Sequence, residues 1–304
     1  MRIAVIDDTE ALAADSADWA ALDAETVFFP DAPLPALADF DVVVAMRERT
    51  RFTADVFAAL PHLRLLVSTG LGTAHIDMAA AREHGVVVCG TPGASQPAAE
   101  ITIALLMEMA RGAGAEDAAV RAGRWGHSAG VTLAGRTLGI IGLGSIGRTV
   151  AAVAEALGMR VIAFSPRRGD DAPAPYVPRA EFFAAADVVS VHLKLTPETQ
   201  GVVTAADLGR MRPSAWFINT ARAALVEPGA LESALTQGRI ARAAVDVFPE
   251  EPLPPDSPWL AVPNLLLSGH RGYVTVDAFR AFYAGATEAI RAFRAGAPIR
   301  RLDT

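Results

Sequence analysis

The chain has 304 residues, a length that implies two domains of ordinary size with ample core. Its net charge of −7, with no dense basic run to offset it, argues against a nucleic-acid footprint. Its single cysteine, Cys89, excludes an internal disulfide and any cysteine-built metal site, and suits a reducing compartment.

The opening Met1-Arg-Ile-Ala-Val-Ile-Asp-Asp8 reads as a first strand and not as a secretory leader. No apolar run reaches the roughly 18 residues of a membrane span, so no membrane contact and a cytoplasmic location are expected. Arg2–Ile6, Thr26–Phe29, Val42–Ala45, Leu65–Ser68 and Val86–Cys89 are short β-rich runs with helical patterns between most of them, such as Asp77–His84. That rhythm predicts a small parallel α/β sheet. The connection Asp31-Ala-Pro-Leu-Pro35 predicts an exposed loop. Thr91-Pro92-Gly93 marks a domain boundary, after which Ser95-Gln96-Pro97 opens a helix over Ala98–Arg111. That helix is apolar nearly all round, which predicts burial within a domain or between subunits, and Gly112-Ala-Gly114 ends or kinks it.

Gly135–Arg168 organises the rest. An apolar run, Thr137–Ile141, ends in Gly142-x-Gly144-x-x-Gly147; an Ala-rich helical pattern follows, and a second apolar run, Arg160–Phe164, closes the unit. This is strand, glycine turn, helix and return strand at the length of a βαβ crossover. Gly142 makes the tight turn, Gly144 lets the backbone approach a pyrophosphate, and Gly147 lets the helix pack on the strand. Free N–H groups at the helix start then face the phosphates. An NAD site usually places an acid about 20 residues on, to hold the ribose hydroxyls. Here the return strand ends in Phe164-Ser165-Pro166-Arg167-Arg168. A serine and two arginines suit a 2′-phosphate, so NADP(H) is favoured over NAD(H); the alternative is that the arginines are solvated surface charge.

Further strands are predicted at Asp187–Leu193, Ala215–Asn219, Ala243–Val247 and Leu265–Ser268, with helices such as Pro228–Gln237 between the first three. They make the second half of a doubly wound sheet. Thr275–Ala295 is one helical pattern with Phe279, Phe282, Ala286 and Ile290 on one side. It is expected to return to the first domain, which would then be discontinuous. Just past three strand ends lie Asn219-Thr-Ala-Arg222, Asp246-Val-Phe-Pro-Glu-Glu-Pro252 and Ser268-Gly-His-Arg-Gly272. Open α/β sheets place ligands there. An arginine can clamp a carboxylate, a histidine can move a proton at neutral pH, and a glutamate bonded to it fixes its tautomer and favours imidazolium.

These motifs, with Gly139-Ile-Ile-Gly-Leu-Gly-Ser-Ile-Gly147 and Val191-His-Leu-Lys-Leu-Thr-Pro-Glu-Thr199, occur in order over both halves, and the whole chain resembles the D-isomer-specific 2-hydroxyacid dehydrogenase family. The resemblance implies two doubly wound parallel-sheet domains: a smaller flavodoxin-like substrate domain (1–93 and 274–304) and a Rossmann cofactor domain (94–273), with a cleft between. It makes Arg222, Glu251 and His270 the catalytic residues; spacing from Asp246 selects Glu251 over Glu250. The amides of Leu71 and Gly72, in the loop Thr69–Gly72, would receive the substrate carboxylate together with Arg222. Asp246 would hold the nicotinamide carboxamide. Ser145 and Ile146 would lie against the pyrophosphate, with Thr199 and Thr220 nearby and Leu193 and Lys194 also at the cofactor. The implied reaction is hydride transfer between NAD(P)H and a small 2-oxo acid, with no metal and a homodimeric assembly.

The family segment usually has proline where Lys194 stands, and often proline where Gly269 precedes the histidine. Lys194 is either a cation near the nicotinamide or a solvated side chain. Arg271 and Tyr273 either shape the substrate pocket or meet a partner subunit. Of the other histidines, His192 lies in an apolar strand, His84 near a helix end, His62 beside Pro61 and His127 in a loop; His75 follows the carboxylate loop and suits a helix start. Two competing functions are formate or phosphite oxidation, against which Glu251 argues, and a dinucleotide-sensing module without turnover. The substrate side chain is encoded by no single motif.

Overall fold

The computed structural model describes residues 1–93, 95–126, 129–166 and 172–302. The chain divides into two compact units, Met1–Ala94 with Val274–Thr304, and Ser95–Tyr273.

The first unit is built on five parallel strands, β1 (Arg2–Ile6), β2 (Glu25–Phe28), β3 (Val42–Ala45), β4 (Leu65–Ser68) and β5 (Val87–Gly90), in the order β2-β1-β3-β4-β5. That is a doubly wound order whose switch point lies between β1 and β3. The central strands β3 and β4 are buried along their whole length, which is why they read as unbroken apolar runs instead of alternating ones. The edge strand β2 begins one residue earlier than its apolar pattern, because Arg2 lies opposite Glu25 and its guanidinium pairs with that carboxylate at 3.0 Å. Asp77 caps the helix Met78–Glu83, its Oδ1 accepting from the N–H groups of Ala79 and Ala80. The helix Val276–Arg294 starts at the Thr275 cap and packs on β4 and β5, burying Phe279, Phe282, Ala286 and Ile290. Beyond it the chain closes the edge of β5: Gly90 N–H donates to the Arg300 carbonyl, and Leu302 N–H to that of Val88, both at 2.9 Å.

The second unit carries six parallel strands, β6 (Thr137–Ile141), β7 (Arg160–Phe164), β8 (Val188–Val191), β9 (Trp216–Asn219), β10 (Arg242–Val245) and β11 (Leu265–Leu267), in the order β11-β10-β9-β8-β6-β7. The order reverses between β6 and β8, so the loop after β6 opens at the switch point. Outside β7, Tyr176 forms a one-residue parallel bridge to Ala163, a further strand reduced to a single rung. The helix Gln96–Arg111 starts two residues before its apolar pattern, with Pro97 in its first turn. Gly112 ends it in the left-handed region at φ 61°, and a second helix, Ala113–Arg121, begins at once. The sequence reading missed this helix, because Gly112 at its cap and Gly114 in its first turn masked its pattern. Thr102, Leu105, Leu106 and Met109 are buried, whereas Ala104 is exposed and Ile103 and Met107 are half-buried, so the unit leaves part of the apolar surface of Gln96–Arg111 uncovered. No helix among the described residues is long and apolar enough to cross a membrane.

Candidate active site

The loop after β6 has the shape a dinucleotide pyrophosphate needs. Gly142 turns at φ 97°, its N–H donating to the Phe164 carbonyl at the end of β7. A Cβ there would sit 2.8 Å from Leu193 Cδ2, which places Leu193 against the glycine turn. A Cβ on Gly147 would meet the Gly142 carbonyl oxygen at 2.2 Å, so only glycine lets the helix seat on the loop. Around Gly144, by contrast, there is open space. Ser145, exposed, and Ile146, half-buried, begin the twelve-residue helix Ser145–Ala156, whose first N–H groups stand at that opening. This cradle fits the group that the motif implies.

The flanking residues are placed as follows. Ser165 is half-buried at the end of β7, while Arg167 and Arg168 lie outside the described residues. Lys194 is exposed, and its carbonyl accepts from the Thr199 hydroxyl at 2.7 Å, which folds the segment 194–199 into a closed turn. The Thr220 hydroxyl lies 2.7 Å from that of Thr102, tying the end of β9 to the helix Gln96–Arg111.

The ends of β9, β10 and β11 converge on one another. After β9, the Asn219 side chain braces its own loop: Oδ1 accepts from Ala221 N–H, and Nδ2 donates to the Arg222 carbonyl. Arg222 is half-buried, one guanidinium N–H donating to the Ala221 carbonyl at 2.7 Å. After β10, Asp246 is wholly buried and its carboxylate takes three donors from the segment after β11: the Ser268 hydroxyl at 2.5 Å, Arg271 N–H at 2.7 Å and Gly272 N–H at 2.8 Å. Those bonds grip the loop on either side of His270, which sits in the left-handed region at φ 54°, uncommon for a residue with a side chain. Tyr273 packs edge-on to the imidazole with ring centres 5.8 Å apart. Glu251 completes the group: Oε2 is 2.5 Å from His270 Nδ1, and Oε1 accepts from Phe248 N–H at 2.8 Å. Burial pushes the Glu251 carboxyl up, but the bonds from His270 and Phe248 and the charge of Arg222 outweigh it and hold the group below its ordinary range.

So the structure brings Arg222, Glu251 and His270 together at adjacent strand ends, with Asp246 beneath. Sequence reasoning missed the parts that hold them: Ser268, Asn219 and the backbone of Phe248. The available signal was a polar residue at or just after the end of each strand. Of the other histidines, His192 is pushed down to about 4 by desolvation, with Nε2 2.9 Å from the Ser190 hydroxyl, and is neutral at physiological pH. His75 is buried, with Nε2 3.3 Å from Ser68 Oγ, and burial also lowers its pKa. His127 lies outside the described residues.

In the first unit, the loop Thr69–Gly72 follows β4. Gly70 turns at φ 92°, its N–H donating to Thr91 Oγ1 at 2.8 Å, and Leu71 is 59% exposed. Two side chains that the sequence reading overlooked flank it: the Arg47 guanidinium beside Gly70 and the Glu48 carboxylate beside Gly72. Among the described residues, no group of three or more His, Cys, Asp or Glu side chains could hold a metal ion.

Residues 103–272 match the model of the D-isomer specific 2-hydroxyacid dehydrogenase, NAD binding domain. A glyoxylate reductase from Korarchaeum cryptofilum is 38% identical over 228 residues, covering 71% of this chain and 69% of that protein. A hydroxypyruvate reductase from Thermotoga maritima is 34% identical over 257 residues, covering 82% and 83%. The crystal structure of a putative D-3-phosphoglycerate dehydrogenase from Ralstonia solanacearum superposes with a TM-score of 0.93 at 33% identity, covering 99% of this chain and 96% of that one. A D-3-phosphoglycerate dehydrogenase from Methanocaldococcus jannaschii is 34% identical over 265 residues, the match covering 82% of this chain and 48% of that protein. A dinucleotide cradle, a histidine–glutamate pair beside an arginine and these likenesses agree, and the chain belongs to the D-isomer-specific 2-hydroxyacid dehydrogenase family.

Proposed function

We propose that this enzyme reduces a small 2-oxo acid of the glyoxylate or hydroxypyruvate kind to the D-2-hydroxy acid, with NADPH preferred over NADH. The observation that carries the reading is the 2.5 Å contact between His270 and Glu251 at a strand end next to Arg222. The nicotinamide, when bound, supplies the hydride. His270, whose Nδ1–H donates to Glu251, presents Nε2 as the proton donor to the oxo oxygen. Glu251, held ionised, fixes that tautomer through its Oε2. Arg222 clamps the carboxylate and stabilises the charge that develops on the oxygen. The Leu71 and Gly72 amides are assigned to the same carboxylate. Asp246 has about one carboxylate lone pair left for the nicotinamide carboxamide after its three bonds to the histidine loop. The NADPH preference rests on Ser165, Arg167 and Arg168 in the sequence.

The test is a kinetic panel of small 2-oxo acids with both dinucleotides. Turnover that His270→Ala abolishes, while dinucleotide binding stays nearly intact, supports the assignment. Tight dinucleotide binding without turnover across the panel would make the chain a sensor instead. Arg167→Ala with Arg168→Ala should weaken NADPH selectively, and equal loss with NADH refutes the phosphate clamp. A homodimer is proposed on the exposed Trp125 and Val120, to be checked by light scattering, and the cytoplasm on the lone, buried Cys89.

A further inference from the structure

At the N-terminal edge of the sheet in the first unit, away from the strand ends that carry the loop Thr69–Gly72, lies a cavity of about 690 Å³. Arg64, Arg294 and Arg301 line it, with Phe293 and Val87 as apolar walls. In a chain of net charge −7, three arginines in the lining of one hollow are a local reversal of sign. We infer that this cavity is a binding site for a small organic polyanion, one that presents two or more phosphate or carboxylate groups.

Each arginine is carried on a fixed part of the backbone. Arg64 immediately precedes β4, its N–H donates to the Asp41 carbonyl at 2.8 Å, and its guanidinium lies 5.8 Å from the centre of the Phe293 ring. Arg294 ends the helix Val276–Arg294 and is anchored by a guanidinium bond to the Leu22 carbonyl. Arg301 is held by an antiparallel bridge to Cys89 on β5. Among the described residues of the wall the one acid is Asp41, and it is already engaged: its Oδ2 accepts from Arg2 N–H at 2.7 Å and lies 3.9 Å from the Met1 ammonium. Guanidinium groups bind carboxylate and phosphate oxygens in pairs, so three of them set apart on rigid supports select a ligand with several anionic groups over a single small ion. The volume falls within the range of small-molecule sites. The three arginines come from the residue just before β4, from the end of the last helix and from the segment after it, so such a ligand would pin that segment to the sheet.

The test measures binding of pyrophosphate and of citrate to the full chain, with saturating dinucleotide and oxamate present so that the proposed active site is occupied. The readouts are calorimetric titration and hydrogen exchange over residues 285–302. A saturable 1:1 event is expected, with slowed exchange in that segment. Arg64→Gln with Arg301→Gln should weaken it at least tenfold while leaving kcat, KM for the 2-oxo acid and the ligand-free melting temperature unchanged. Arg64→Lys, which keeps the charge but loses the planar fork, should fall between. Tighter pyrophosphate than citrate assigns the phosphate class, and the reverse order the carboxylate class. No saturable binding by the native chain, or equal affinity in native and doubly substituted chains, overturns the inference.

Discussion

His270 Nδ1 lies 2.5 Å from Glu251 Oε2, and the other oxygen of the same carboxylate is fixed by Phe248 N–H. Both oxygens of Glu251 are therefore committed, one to the imidazole and one to the backbone that carries the acid. Glu251→Gln keeps the shape but removes the ionised acceptor that fixes the Nδ1–H tautomer of His270. In steady-state assays with a small 2-oxo acid, kcat should fall by roughly 10² or more. A variant that keeps the wild-type kcat would remove Glu251 from the proton-transfer step.

Arg222→Lys tests the clamp. A lysine keeps the positive charge and gives up the two parallel donors, so carboxylate binding and oxyanion stabilisation both weaken. The expected loss in kcat/KM is on the order of 10² to 10³. Dinucleotide affinity, measured by fluorescence titration, should change by less than about threefold, since the pyrophosphate cradle is built on other residues.

Asp246→Asn probes the support under the histidine. The carboxylate accepts three hydrogen bonds, whereas an amide nitrogen in place of one oxygen would face donors it cannot serve. The loop should slacken and His270 leave its left-handed conformation, with kcat falling by about tenfold to a hundredfold. Ser268→Ala removes one of the three bonds and should lower kcat by a smaller factor. If Ser268→Ala costs as much as Asp246→Asn, the loop-support account fails.

Gly147→Ala should abolish dinucleotide binding. The added methyl carbon would lie 2.2 Å from a backbone oxygen, which no side-chain rotation relieves. The cost should be at least about 2 kcal/mol in urea unfolding of the second unit. A variant of native stability that still binds NADPH would show that the loop yields.

Asp207 supplies a pH prediction for stability. It is almost wholly buried and pairs with Arg179, while its carboxylate also takes the Thr204 N–H and hydroxyl in a capping box. Burial raises its pKa, but the bonds from Arg179 and Thr204 prevail and lower it overall. A lowered folded pKa means that its stabilisation is full above the unfolded value, near 3.9, and is lost as pH falls through the folded one. Asp207→Ala should cost roughly 2–3 kcal/mol at pH 7 by denaturant titration, with the difference from wild type shrinking in strong acid.

Much of this architecture is legible in the residues themselves, and the exceptions have physical causes. β1, β3, β4, β6 and β7 run over the spans that their apolar patterns predict, because buried parallel strands are continuous hydrophobic runs. β8 ends at Val191, two residues before its pattern, since Leu193 turns onto the glycine loop. The grouping of Arg222, Glu251 and His270 could be anticipated because each follows a strand in one sheet. The clamp of Asp246 on the His270 loop could not, because which lone pair meets which N–H depends on a left-handed backbone at His270, a conformation only a few per cent of residues with side chains adopt. Arg47 and Glu48 escaped for a similar reason: they belong to the segment after β3, and only the alignment of β3 with β4 puts them beside Gly70 and Gly72.

The closure of β5 by the chain end dictates the order in which a nascent chain can be finished. Gly90 and Arg300 are 210 positions apart, so at about 10 residues per second some 20 s of synthesis separate them. Through that interval the five-stranded sheet keeps its last strand bare, while the contiguous 95–273 segment gains every strand it needs before the interval ends. The half that starts first is completed last. A chain ending at residue 273, held on the ribosome through a linker long enough to clear the exit tunnel, should thus display a protease-resistant dinucleotide-binding half tethered to a sheet that trypsin still cuts.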